Sequence, residues 1–340
     1  RIIDLRSDTV TKPSKKMKEF MLTCEVGDDV YGEDPTVRLF ETSMATMTGK
    51  EDALFVPSGT QSNLLALLSH CQRGDEYVCG QEAHIYRYEA GGASVLGGIQ
   101  AQPLDFESDA TLSLKKIKKN IKPDDNHFAR TRLICLENTH DGKVLPLSYL
   151  KKLKKFAKKN KLLSHLDGAR VFNAADFLGI EVKVICKYFD SISICLSKGL
   201  GAPVGSVLLG NRDFIEKARR YRKMLGGGMR QSGILAAAGL YAINNNVEDL
   251  NKDHVKTQLL HKALNKIKQI KILSMDTNML FIKVNKKLET SFVNYLESKG
   301  VLISGYSKLR LVLHRDIKKE DIEKVVEKIN DFFAQQKISH

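Results

Sequence analysis

The chain has no apolar stretch near the roughly 18 to 20 residues that a helical membrane span requires, which excludes a protein threaded through a bilayer by helices. Its first residues, Arg1-Ile2-Ile3-Asp4, lack the long apolar core of a secretion signal. The six cysteines, at 24, 71, 79, 135, 186 and 195, follow neither a metal-ligand spacing nor a disulfide framework. In a chain of 340 residues they are expected as reduced thiols, and the expected location is cytoplasmic. Cys135 and Cys195 fall inside apolar runs and read as core packing. Internal repeats and a flexible linker are also missing. Acid is the scarcer charge: 54 Lys and Arg against 40 Asp and Glu leave a net charge of +14.

That basic excess does not imply a nucleic-acid partner, which would need basic residues concentrated on one face or a recognisable module. Much of the lysine sits in runs such as Lys151-Lys152-Leu153-Lys154-Lys155-Phe156-Ala157-Lys158-Lys159. Leu150, Leu153, Phe156 and Ala157 recur there near helical spacing, so the lysines clothe the solvent side of a docked helix. Lys115 to Lys119 repeats the pattern.

The order of elements points to an α/β protein. Strand-like runs at Ala53–Pro57, Glu76–Cys79, Thr131–Glu137, Leu162–Asp167, Ser191–Leu196 and Gly205–Gly210 alternate with helical stretches. Such alternation predicts a mainly parallel sheet covered by helices on both faces. After a helix over Gly233–Asn244, a smaller unit follows. It has strand-like Met279–Val284, Val301–Ser304 and Leu309–His314, a helix near Glu289–Lys299 and a last helix over Lys318–Gln335. The predicted division is an arm over 1–14, a large domain over 15–248 and a small α/β domain over 249–340.

The chemistry is concentrated in a few places. Ser197-Lys198-Gly199-Leu200-Gly201-Ala202-Pro203 leaves one lysine on a small-residue turn after an apolar strand. Taken alone, Lys198 reads as a solvated lysine. An earlier strand, however, ends in Asp167-Gly168-Ala169-Arg170, and open α/β sheets bind ligands at their strand ends. A lysine and an aspartate brought into one crevice match the needs of pyridoxal 5'-phosphate (PLP): the lysine for a Schiff base, the carboxylate to keep the pyridine nitrogen protonated. Ser58-Gly59-Thr60 stands before the helical run Gln61–Leu68, where free amides and hydroxyls can hold a phosphate; alone it is only an N-cap. His84, in Ala83-His84-Ile85-Tyr86, can stack on a pyridine ring and handle protons near neutral pH, or simply sit hydrogen-bonded in a half-buried loop. Glu89-Ala90-Gly91-Gly92 after it opens a tight turn.

Over nearly its whole length the chain resembles the low-specificity L-threonine aldolases. The resemblance is carried by Asp4-Leu5-Arg6-Ser7-Asp8-Thr9-Val10-Thr11, Val26–Thr36, Ser58-Gly59-Thr60-Gln61, Glu137-Asn138-Thr139-His140, Asp167–Arg170, the Lys198 loop and Gly226-Gly227-Gly228-Met229-Arg230-Gln231. It implies a PLP-dependent transferase fold of the aspartate-aminotransferase type. The implied activity is that of an aldehyde-lyase, cleaving L-threonine or L-allo-threonine to glycine and acetaldehyde. It also implies roles for particular residues: Arg310 for the substrate carboxylate, with Ser7 and Tyr31 near the cofactor and that carboxylate. Arg170 would serve the ring's phenolate oxygen as well as the carboxylate. Tyr31, Lys223 and Arg230 would complete a neighbouring subunit's site, so a homo-oligomer, built as a dimer of dimers, is expected. Leu313 departs from the threonine many relatives carry behind the arginine. For the β-hydroxyl proton, His84, His127 (in Asp125-Asn126-His127-Phe128) and an ordered water remain open as bases. β-Elimination, transamination or racemisation on the same residues remain open too. A non-catalytic binding protein has no need of Lys198, Asp167, His84 and Arg310 together. Neither metal nor nucleic acid nor membrane is expected as a partner.

Overall fold

The computed structural model describes residues 1–338, with side chains through 336. Its strands are β1 (Ile3–Asp4), β2 (Asp52–Val56), β3 (Asp75–Gly80), β4 (Gln100–Leu104), β5 (Arg130–Glu137), β6 (Leu163–Asp167), β7 (Ser191–Cys195), β8 (Ser206–Gly210), β9 (Lys271–Asp276), β10 (Met279–Lys283), β11 (Val301–Leu302) and β12 (Leu309–Val312).

The large sheet runs in the order β2-β8-β7-β6-β5-β3-β4. Every pairing from β7 through β4 is parallel, while β8 lies antiparallel to both its neighbours. Chain length decides this: segment 196–205 joins β7 to β8 without room for the helical crossover a parallel neighbour needs. The expectation of a mainly parallel α/β sheet holds. β3, β7 and β8 are buried at every position, their polar members Asp75, Glu76, Ser191, Ser193 and Ser206 included.

Three strands were not expected from the sequence. β4, with Gln100, Gln102 and Pro103, is the sheet's half-exposed edge, where polar residues and proline are tolerated. β9 is likewise an edge and carries little burial. β1 is two residues long and exists through its parallel pairing with β11. That pairing brings Ile3 and Leu5 into a second core with Leu280, Phe292, Leu309 and Phe332. β12-β10-β9 forms the antiparallel sheet beside this core.

The lysine-rich helix Leu147–Lys159 buries Leu150, Leu153 and Ala157 and exposes its lysines, as its periodicity predicts. No helix among the described residues is long and apolar enough to cross a membrane.

Helix Pro35–Thr48 carries a buried carboxylate, Glu41, whose Oε1 accepts the Phe55 N–H at 2.8 Å. Arg219 stands 3.5 Å from its other oxygen. Burial outweighs both contacts and pushes the Glu41 carboxyl up from 4.5 to about 7. A carboxyl raised in the folded state contributes stability that is complete below about pH 4.5 and lost as pH rises through about 7. Glu41→Gln is therefore expected to gain on the parent protein, on the order of 2 kcal/mol, between pH 5 and pH 8. Denaturant unfolding of both proteins at both pH values measures this, and a difference independent of pH contradicts it.

Candidate active site

The parallel strands deliver the candidate groups at their carboxyl ends. Asp167 is the last residue of β6 and Glu137 the last of β5, while Lys198 sits on the turn just after β7. Ser58, Gly59 and Thr60 follow β2 at the start of helix Gly59–His70, and His84 opens a short helix after β3. All of these line one cavity of about 270 Å³, together with Thr139, Arg170 and Cys195. A larger, shallower groove of about 960 Å³ lies between helices Pro35–Thr48 and Val171–Leu178, but it holds no comparable convergence of lysine, aspartate and histidine.

Local geometry explains why the turns are glycine-rich. A Cβ at Gly168 would lie 2.9 Å from the Ser193 carbonyl oxygen, so the chain leaving Asp167 passes hard against β7. Gly201 closes the Lys198 turn at φ +78°, donating its N–H to the Lys198 carbonyl at 2.9 Å. Thr11 Oγ1 donates to the same carbonyl at 2.8 Å, which ties the lysine loop to the N-terminal segment.

The Asp167 carboxylate is buried and accepts two hydrogen bonds, from Ala169 N–H at 3.1 Å and from Asn63 Nδ2 at 2.9 Å. The second amide hydrogen of Asn63 goes to Glu89 Oε1 at 2.8 Å. That same Glu89 oxygen is 2.8 Å from His84 Nδ1. The Glu89 bond raises the His84 pKa against its burial, and burial raises that of Glu89 against its bonds to His84 and Asn63. His84 is anchored further by its backbone N–H, donated to Glu137 Oε2 at 2.8 Å. With Nδ1–H turned to a carboxylate, neutral His84 offers Nε2 as a proton acceptor.

Ser58 Oγ caps its helix by accepting the Gln61 N–H at 3.1 Å. The amides of Gly59 and Thr60, first in the helix, have no intrahelical acceptor and belong to residues lining the cavity. A phosphate arm suits those amides, while the Asp167 carboxylate lining the same cavity suits a protonated ring nitrogen. These residues could therefore hold PLP.

The comparisons with known proteins agree with this geometry. Residues 4–287 match the family described as beta-eliminating lyase. The low specificity L-threonine aldolase of Escherichia coli K12 is 53% identical over 333 residues, covering 98% of this chain and 100% of that one. The chain belongs to the low-specificity L-threonine aldolase family. The Arabidopsis thaliana relative named low-specificity L-threonine aldolase 1 is 45% identical over 335 residues, with 95% and 94% covered. A solved structure of Leishmania major threonine aldolase superposes with a TM-score of 0.84 over 97% of this chain and 99% of that one. At 19% identity that likeness speaks for the fold.

The structure places the remaining family positions unevenly. Arg170 is half-buried, but its fork is already engaged: Nε donates to Asp8 Oδ2 at 2.8 Å and Nη2 to Asp8 Oδ1 at 2.6 Å. Burial by itself would raise the Asp8 carboxyl, yet the charge and hydrogen bonds of Arg170 take it down to about 2. Arg170 lines the cavity with its side-on Nε/Nη2 edge taken by Asp8, which leaves the Nη1 hydrogens and the outer Nη2 hydrogen free of that pair. Arg310, on β12, donates from Nη2 to the Arg6 carbonyl at 2.9 Å; burial and the nearby charge of Arg170 lower its pKa. Ser7 lies between Arg6 and Asp8, and hence between the partners of both arginines, accepting the Thr9 N–H at 3.3 Å.

Ser7, Arg310, His127, Tyr31, Lys223 and Arg230 do not line this cavity. The histidine is exposed, bonded to Asp125 at 2.6 Å, on the loop that precedes β5. It therefore sits at the amino end of the strand whose carboxyl end, Glu137, reaches the cavity. Lys223 borders a second depression with Val30 and Gly228. Tyr31 is 77% exposed beside it, and Arg230 pairs with Asp28 at 3.1 Å.

Asp8, Glu89, Glu137 and Thr139 had no assigned role in the sequence reading, although each lies inside a quoted motif. Asn63 and His165 gave one signal only, a polar side chain inside an apolar helix or strand, which must find a buried partner. His84, Glu89 and Asp167 offer donor atoms within 4.8 Å of one another. The Asn63 amide hydrogens run to both carboxylates, so hydrogen bonding already satisfies the cluster.

Proposed function

We propose that this chain cleaves the Cα–Cβ bond of L-threonine, L-allo-threonine and other β-hydroxy-α-amino acids, releasing glycine and an aldehyde, with PLP as its cofactor. The observation that carries the reading is the meeting of Lys198 and Asp167 in one cavity at the carboxyl ends of adjacent strands. When bound, PLP would supply an electron-accepting ring linked through the substrate's amine nitrogen. Lys198 would supply the amine that anchors the cofactor. Asp167, hydrogen-bonded by Ala169 and Asn63, would keep the ring nitrogen protonated.

Ser58, Gly59 and Thr60 would hold the phosphate. Arg310 would take the substrate carboxylate, with Ser7 beside it, and Arg170 would offer its remaining hydrogens to the ring oxygen. His84 would pack on the ring and accept the β-hydroxyl proton at Nε2, directly or through one water. His127, with Tyr31, Lys223 and Arg230, serves a neighbouring subunit of a homotetramer arranged as a dimer of dimers; within one protomer they lie outside the cavity. The reduced cysteines, five of them buried, suit a cytoplasmic setting.

The test is product analysis of the purified protein with L-threonine and L-allo-threonine, alongside sedimentation at assay concentration. Equimolar glycine and acetaldehyde from an oligomer are expected. Pyruvate and ammonia from serine with no aldehyde release would replace the reading by β-elimination, and a fully active monomer would remove the shared-site assignment.

A further inference from the structure

Behind Asp167 a buried chain of hydrogen bonds runs across the sheet. Asn63 Oδ1 is 3.0 Å from His165 Nε2, His165 Nδ1 is 2.8 Å from Ser191 Oγ, and Ser191 Oγ is 2.7 Å from His70 Nε2. Asn63, His165 and Ser191 are all buried. His70 stacks on Phe214 with ring centres 4.4 Å apart.

The direction of every bond follows from the carboxylates. Asp167 Oδ2 and Glu89 Oε1 accept, so the Asn63 NH₂ must face them and its oxygen must face His165. His165 is therefore the Nε2–H tautomer, and its Nδ1 accepts the Ser191 hydroxyl proton. The Ser191 oxygen is then left to accept from His70 Nε2–H. Burial lowers the pKa of His165 to about 4 and of His70 to about 3, so both rings stay neutral and this polarity persists.

From this geometry we infer that Asn63 is a positioning residue, oriented by its two acceptor carboxylates and seated at its oxygen by the His165–Ser191–His70 chain, that holds Asp167 as an aimed acceptor while keeping Glu89 apart for His84. The inference rests on the reading of Asp167 as partner of the PLP ring nitrogen. One amide serves two buried carboxylates here, and a flipped amide would set its oxygen against both. The carboxylates exclude that flip, and in the orientation they impose the Asn63 oxygen accepts from His165 Nε2–H, so all of its polar groups are satisfied at once.

The test uses the holoenzyme loaded with PLP labelled with ¹⁵N in the ring. In Asn63→Leu, which keeps side-chain size and removes both donors, the ring-nitrogen resonance is expected to move toward the unprotonated pyridine position. PLP affinity should fall about tenfold or more, the loss of one charge-assisted hydrogen bond. Ser191→Ala, which removes one buried hydroxyl and touches nothing in the cavity, is expected to move both readouts in the same direction by less, and it carries the test if Asn63→Leu does not fold. An unchanged resonance and an affinity within twofold of the parent in the folded variants overturn the inference. If Asp167→Asn also leaves the resonance unmoved, the assignment of Asp167 has failed; if only Asp167→Asn moves it, Asn63 alone has lost its role.

Discussion

Lys198→Ala is expected to abolish turnover and the visible absorption of bound cofactor while leaving the fold and assembly unchanged. The loop does not depend on the side chain: its carbonyl is held by Thr11 Oγ1 and the Gly201 amide, and its neighbours Gly199, Leu200 and Ala202 are buried by their own packing. The chemistry does depend on it, since among the described residues no other lysine lines the cavity. Circular dichroism and sedimentation establish that the variant is folded, and product assays with L-threonine give the rate. A rate within about tenfold of the parent, or 1.4 kcal/mol in barrier, contradicts a covalent role.

The second large effect is expected at Asp167. Asp167→Asn keeps the shape, but either orientation of the new amide turns its NH₂ toward a donor, the Ala169 N–H at one oxygen or the Asn63 NH₂ at the other. The substituted group is neutral as well and no longer favours a protonated pyridine. The variant should therefore still bind PLP, with weakened affinity, and lose far more than tenfold in kcat. Cofactor content by absorbance and kcat with L-threonine separate these effects. A loss below about tenfold removes Asp167 from the ring nitrogen.

What was legible in the sequence followed from features that act locally. Short, largely apolar runs broken by turn residues marked β2, β3, β5, β6, β7 and β8, because strands covered by helices on both faces are enriched in apolar residues. The edge strands β4 and β9 escaped notice because exposure lets them carry glutamine, proline and lysine. Lys198, Asp167, His84 and Ser58–Thr60 were likewise visible, since each sits at the boundary of a recognisable element.

The sequence by itself determined the layered α/β class, the strand ends that carry the reactive lysine and carboxylate, and membership of a family whose motifs run the length of the chain. Only the tertiary structure decided which partners those groups have. Asp8 was an acid near the start of the chain until folding set it against Arg170, 162 residues away, and engaged the edge expected for substrate. Asn63 was a polar residue in an apolar helix until Asp167, Glu89 and His165 closed around it. His127 stood level with His84 in the sequence, and only the strand order placed it at the amino end of β5, outside its own protomer's cavity. Periodicity and turn chemistry act over a few residues, whereas hydrogen-bond partners and charge pairs are chosen by packing between distant segments.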